Sequence, residues 1–154
     1  MSEIKKITSF SVDHDKITKG MYLSRIDGSI YTYDLRTRVP NSDDYMTNLQ
    51  MHSLEHMAAT FARNSEISSK VIYFGPMGCQ TGFYLLLDGV LPDEALEFVK
   101  QIFSQVLTAD KMFGDTRKEC GNYKNLSLDA AKEEAARYLE VLKHKQNENL
   151  SYSK

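Results

Sequence analysis

The sequence predicts an α+β fold: one antiparallel β-sheet covered on one face by helices, in a single domain spanning residues 1–154. Apolar residues recur at helical spacing in three segments, and three shorter runs read as strands. The connections between them mix a hairpin-like loop with longer crossings.

The first strand runs from Ser29 to Arg36. Ile30, Thr32, Asp34 and Arg36 fall on one face of it and Tyr31, Tyr33 and Leu35 on the other, until Val39-Pro40-Asn41-Ser42 stops it. Asp34 and Arg36 therefore point the same way, as an ion pair at the surface end of a strand would. From about Thr47 to Arg63, Leu54, Met57, Ala58 and Phe61 group on one side of a helix. Lys70 to Phe74 and Gly82 to Asp88 are two further strands, antiparallel neighbours joined by the breaker-rich Gly75-Pro76-Met77-Gly78-Cys79-Gln80. Asp93 to Leu107 is a core-facing helix with Ala95, Leu96, Val99, Ile102, Phe103, Val106 and Leu107 in its stripe. Asp93 and Glu94 lie at its positive end. Ser127 caps a last helix whose stripe is Leu128, Ala131, Ala135, Tyr138, Leu139 and Leu142. Residues 144–154 read as a flexible tail, with His144 solvated.

Composition excludes several classes of function. The net charge is −2 with no basic stripe, which argues against nucleic acid as a partner. No apolar run approaches the ~20 residues of a membrane span and no signal-peptide core opens the chain, so the expected setting is the cytoplasm. The two cysteines are expected there as thiols or metal ligands rather than a disulfide.

The most specific feature is His52-Ser53-Leu54-Glu55-His56. Residues four apart share a helix face, so both imidazoles can converge on one ion with Glu55 on the same side. The H-x-x-E-H order is that of the inverzincins, in which the carboxylate serves as a base. The apolar stripe lies opposite, so neither histidine is needed as core filler. Either Cys79 or Cys120 could supply a third ligand, since Gly78 or Gly121 lets the loop turn inward. Both bound would make a closed Cys₂His₂ structural site; one bound would leave an open position for water or substrate.

Five separated motifs together carry a resemblance: Ser9-Phe10-Ser11-Val12-Asp13-His14, Tyr33-Asp34-Leu35-Arg36, His52 to His56, Gly75 to Tyr84, and Cys120-Gly121. In order and approximate spacing the chain resembles the S-ribosylhomocysteine lyase (LuxS) family from about Ser9 to Leu142. The resemblance implies one divalent metal per subunit, natively Fe²⁺ with Zn²⁺ or Co²⁺ as substitutes, held by His52, His56 and Cys120. It implies that Cys79 and Glu55 are the acid/base pair, and that Ser9, His14 and Arg36 contact substrate or order the pocket. It also implies a homodimer with active sites at the interface. The activity implied is cleavage of the S-ribosylhomocysteine thioether to homocysteine and 4,5-dihydroxy-2,3-pentanedione, the precursor of a quorum-sensing signal. Two stretches depart from the family pattern: Tyr73 and Gly75 stand where an acidic residue and a serine are common, and Gly121-Asn122-Tyr123-Lys124 is an unusual version.

The chemistry makes sense of these groups. Moving a sugar carbonyl from C1 to C3 develops an oxyanion at each shift, which a divalent cation stabilises. Protons must move as well, and an adjacent cation such as Arg36 favours the thiolate form of a cysteine base. An inverzincin-type metallohydrolase would leave Cys79 without a role, and a non-catalytic Cys₂His₂ module would need both thiols on the ion.

Overall fold

The computed structural model of the chain describes residues 3–152. Four strands, β1 (Gly20–Asp27), β2 (Ile30–Arg36), β3 (Val71–Pro76) and β4 (Gly82–Asp88), form one sheet in the order β1-β2-β4-β3. Every neighbouring pair is antiparallel. A short helix α1 (Thr8–Ser11) precedes the sheet, and α2 (Asn48–Arg63), α3 (Pro92–Thr108) and α4 (Leu128–Lys143) cover one face. The architecture is the α+β one expected.

Alternation decides which face the helices cover. Tyr33 and Leu35 of β2 and Phe83, Leu85 and Leu87 of β4 are fully buried beneath Leu54, Met57, Ile102, Phe103 and Tyr138. Each such side chain contributes about 1.5–3 kcal/mol of burial, so this shared layer fixes the register of the sheet. A slip of one residue would turn the whole row to the other side. Phe74 stacks on Phe83 with ring centres 5.1 Å apart, carrying the layer to β3.

Helix α2 begins where it does because Thr47 and Gln50 form a reciprocal cap. The Thr47 hydroxyl accepts from the Gln50 amide at 3.1 Å, and the Gln50 side chain accepts from the Thr47 amide at 2.8 Å. This start fixes the rotation of the helix and so the direction in which His52 and His56 project. At the other end Arg63 donates to the Val71 and Ile72 carbonyls, tying α2 to β3.

Several expectations require correction. Strand β1 was not anticipated: its alternation breaks at a bulge between Leu23 and Arg25, which disguises the period. Asp34 and Arg36 are not a surface pair; they are 1% and 3% exposed, with Tyr152 from the end of the chain against Asp34 and Thr81 against Arg36. In α3 the stripe takes in Phe98 and leaves Leu107 exposed. The end of the chain is not loose as far as it is described. The Gln146 side chain accepts from the Met21 amide at 3.0 Å, Leu150 is buried, and Tyr152 stacks on Tyr22 at 4.8 Å. His144 is exposed, as expected.

Beyond β2 the chain is anchored to α4 through charge. Arg38 forks onto both oxygens of Glu134, which is fully buried, and reaches Asp44 at 2.6 Å. Arg137 of α4 reaches Asp44 from the rim at 3.4 Å.

Candidate metal centre and catalytic groups

His52, His56 and Cys120 converge, their ligand atoms all within 4.8 Å of one another. The two histidines stand one turn apart on α2, and Cys120 comes from the long connection between α3 and α4. That connection also supplies the groups that orient the rings. His52 Nδ1 lies 2.7 Å from the Asn125 carbonyl and His56 Nδ1 lies 3.0 Å from the Phe113 carbonyl. A carbonyl can only accept, so each Nδ1 donates, which leaves Nε2 as the nitrogen that would ligate a metal. His52 Nε2 is 3.4 Å from the Cys120 sulfur, and the Asn122 amide donates to that sulfur at 3.4 Å. The donor set, two imidazoles and one thiolate, suits a first-row divalent ion and can hold one. Within the unusual sequence after Cys120, residue 122 meets the sulfur through its backbone.

The connection passes so close over His56 that residue 114 must be glycine. Gly114 has φ +67°, and a Cβ there would lie 2.8 Å from His56 Nδ1. Behind it Ser53, fully buried, accepts from the Ser127 amide at 2.8 Å and joins α2 to the start of α4.

Glu55 lines the same cleft as His52, together with Asn48, Met51, Pro76, Asn122 and Asn125; its volume is about 230 Å³. Burial pushes the Glu55 carboxyl up from its ordinary range, against the opposing pull of His56 and His52. It can therefore both hold and release a proton nearer neutrality than a solvated glutamate.

Cys79 belongs to a second group, on the loop between β3 and β4. Its sulfur lies 3.0 Å from the Thr81 hydroxyl, which in turn lies 2.9 Å from an Arg36 nitrogen. Arg36 forks onto Asp34 at 2.7 and 3.0 Å, and the Tyr152 hydroxyl donates to Asp34 at 2.7 Å. Burial works against the Arg36 charge, but the Asp34 bonds together with the nearby Cys79 sulfur outweigh it, and the guanidinium is held above its ordinary pKa. Ser9 lines one groove with Tyr84, whose phenol feels Asp34, Arg36 and Cys79. His14 does not: its ring is held by the Val12 carbonyl at 2.8 Å, within its own segment.

The two groups are linked through backbone. Met46 and Gln80 bond each other twice, the Met46 amide to the Gln80 carbonyl at 3.0 Å and the Gln80 side chain to the Met46 carbonyl at 2.8 Å. Met46 directly precedes the Thr47 cap, so the Cys79 loop and the histidine helix share an anchor. Tyr73 and Gly75 also explain each other, for the Tyr73 hydroxyl fills the space that a side chain at 75 would need. Thr81, Tyr152 and the Asn125 and Phe113 carbonyls were not singled out from sequence. Only Thr81, two residues from Cys79, lay within reach of a local signal.

Fold and site together define an α+β protein with a cluster of two histidines and a cysteine at the edge of a cleft that His52 lines, and a separate thiol joined through Thr81 to a buried guanidinium. A family model described as S-Ribosylhomocysteinase (LuxS) matches residues 7–149, and the chain belongs to that family. It is 42% identical to the S-ribosylhomocysteine lyase of Borrelia garinii subsp. bavariensis, over 97% of this chain and 99% of that protein. Identity is 43% to the lyase of Borreliella burgdorferi and 40% to that of Finegoldia magna, again with 97% of this chain and 99% of each relative covered.

Proposed function

We propose that the chain is an S-ribosylhomocysteine lyase, a carbon–sulfur lyase that converts S-ribosylhomocysteine to homocysteine and 4,5-dihydroxy-2,3-pentanedione. The observation that carries this reading is the division of labour within a chain of this family: a three-ligand cluster beside Glu55, and a separate thiol beside Arg36. A closed Cys₂His₂ module would need the Cys79 sulfur on the ion, whereas that sulfur is engaged by Thr81. A metallohydrolase would leave the buried Asp34–Arg36–Thr81 chain that ends on the Cys79 sulfur without a purpose.

His52, His56 and Cys120 would hold the metal, Fe²⁺ in the cell with Zn²⁺ or Co²⁺ as substitutes, and it would supply Lewis acidity toward the sugar oxygens. The protein's own residues manage the protons. Cys79, as thiolate beside Arg36, takes a carbon-bound proton and returns it to the neighbouring carbon as the carbonyl moves along the sugar. Glu55, with its raised pKa, exchanges protons with the hydroxyls. With the carbonyl at C3, a base removes the C4 proton, the electron pair forms a C4–C5 double bond, the C5–sulfur bond breaks, and the resulting enol takes a proton at C5 and gives up its C4 hydroxyl proton to become the dione. Homocysteine leaves as a thiolate and takes up a proton. Ser9 and Arg36 contact the substrate or order the pocket on the Cys79 side, and His14, held within its own segment, does so from outside that group.

The active protein is a homodimer with its sites at the interface. A cleft of about 230 Å³ is small beside the roughly 300–1,000 Å³ of small-molecule sites, and of the candidate site residues its lining takes in only His52 and Glu55. A second subunit supplies the missing wall. Its setting is the cytoplasm, which suits two unpaired cysteines; no helix among the described residues is long and apolar enough to cross a membrane.

The test is anaerobic incubation with S-ribosylhomocysteine followed by a free-thiol assay for homocysteine. Turnover is expected from the parent, with Cys79→Ala and Glu55→Gln about 10²–10⁴-fold slower at matched metal content. A Cys79→Ala protein with near-parent turnover would overturn the reading in favour of a metallohydrolase.

A further inference from the structure

Thr81 is 2% exposed, and its hydroxyl stands between two charged or chargeable groups. One is Arg36, whose guanidinium nitrogen is 2.9 Å away; the other is the Cys79 sulfur at 3.0 Å. A guanidinium has donors and no acceptor, so at the first contact the Thr81 oxygen must accept. The hydroxyl has a single hydrogen, and with the Arg36 side already supplied, that hydrogen is free to point at sulfur. We propose that Thr81 is a positioning residue for Cys79: its hydroxyl, polarised by Arg36, donates to the sulfur and holds it as thiolate facing the substrate. This inference rests on the reading of Cys79 as a proton-transfer group.

Three features of the backbone serve this placement. The Thr81 carbonyl accepts from the Thr37 amide, the Arg38 amide and the Thr37 hydroxyl, at 3.0, 3.0 and 3.3 Å, so residue 81 is pinned to the end of β2. Gly82 permits the close approach, since a Cβ there would lie 2.5 Å from the Leu35 carbonyl oxygen. Gln80 sits at φ +64°, a conformation that side chains rarely adopt, and its bonds to Met46 hold it there. The loop is thus fixed on both sides of the hydroxyl, while Cys79 itself remains exposed.

The charged and titratable groups of this cluster are Arg36 and Asp34 on β2, Tyr84 on β4 and Tyr152 near the end of the chain. Asp34 neutralises much of Arg36, and the Tyr152 hydroxyl draws off part of the Asp34 charge. What remains of the guanidinium's field reaches sulfur through the Thr81 hydroxyl. A hydrogen bond to the charged form of an acid favours ionisation, so removal of that hydroxyl makes the thiolate harder to form.

The experiment measures alkylation of Cys79 by iodoacetamide across pH in the metal-loaded protein, with peptide mapping to separate Cys79 from Cys120. Thr81→Val should move the half-maximal pH upward by about one unit, a roughly tenfold slower reaction at neutrality. Thr81→Ser, which keeps the hydroxyl, should restore the parent profile. Thr81→Ala repeats the test if the valine variant does not fold, and unfolding of both by circular dichroism would assign the hydroxyl to the fold and overturn the proposal. An unchanged profile in a folded hydroxyl-less variant, or a serine variant that behaves like valine, would overturn it as well. The lyase reading fails by a different result, turnover retained in Cys79→Ala, which leaves the alkylation profile as it was.

Discussion

Gly114 shows how closely one residue can bind backbone to chemistry. Alanine there would take a left-handed backbone costing about 1–3 kcal/mol, and its methyl would press on His56. Gly114→Ala should therefore lower both the melting temperature and the metal content, measured by calorimetry and elemental analysis on the same sample. For the ligands the expectation is sharper. Alanine at His52, His56 or Cys120 should strip most of the metal, whereas Cys79→Ala should retain it. Equal loss from Cys79→Ala and Cys120→Ala would return the site to a Cys₂His₂ structural centre. The motif from His52 to His56 was legible because one helix turn places it, with no distant partner required. The carbonyls that set the ring tautomers were not, because any residue type at 113 or 125 can offer one.

At the scale of elements, the Arg38–Glu134 pair is the tie between the end of β2 and α4. Removing either partner leaves the other short of its main counter-charge, Arg38 keeping only Asp44 and Glu134 only the more distant Arg137, so Arg38→Met or Glu134→Leu alone should cost about 3–5 kcal/mol, and the double substitution much less. Urea unfolding of the three variants checks this, and additive single effects would contradict it. Glu134 sits within an otherwise apolar helix face, and its partner lies 96 positions away, so sequence periodicity had no means of finding it. The helices α2, α3 and α4 were legible because their stripes extend over four turns or more. Strand β1 was missed because one bulge defeats a period of two, and α1 because its four residues hold no period at all. The polar composition after Lys143 concealed the packed end of the chain. What orders it is a few distant contacts: Gln146 with Met21, Tyr152 with Tyr22 and Asp34.

For the whole molecule, the sheet face away from the helices is the surface on which association should depend. Ile7, Tyr73, Tyr84 and Leu86 line a groove of about 390 Å³ there, and Ile7 and Phe10 are 56% and 69% exposed. Exposed apolar side chains gathered around a groove suit burial against a second copy. Analytical ultracentrifugation at micromolar protein should show a dimer, and Leu86→Arg should shift it toward monomer with loss of turnover. An active monomer would exclude a shared site.

The connection between α3 and α4 has a kinetic consequence. It contributes Cys120 and both carbonyls that steady the histidine rings, so every hold on a bound ion besides α2 itself would lie on one segment. Escape of the ion then has to wait for that segment to lift as a unit. With excess chelator, the rate of metal loss should reach a plateau independent of chelator concentration, and shortening the plateau time should be the signature of any substitution that loosens residues 113–125.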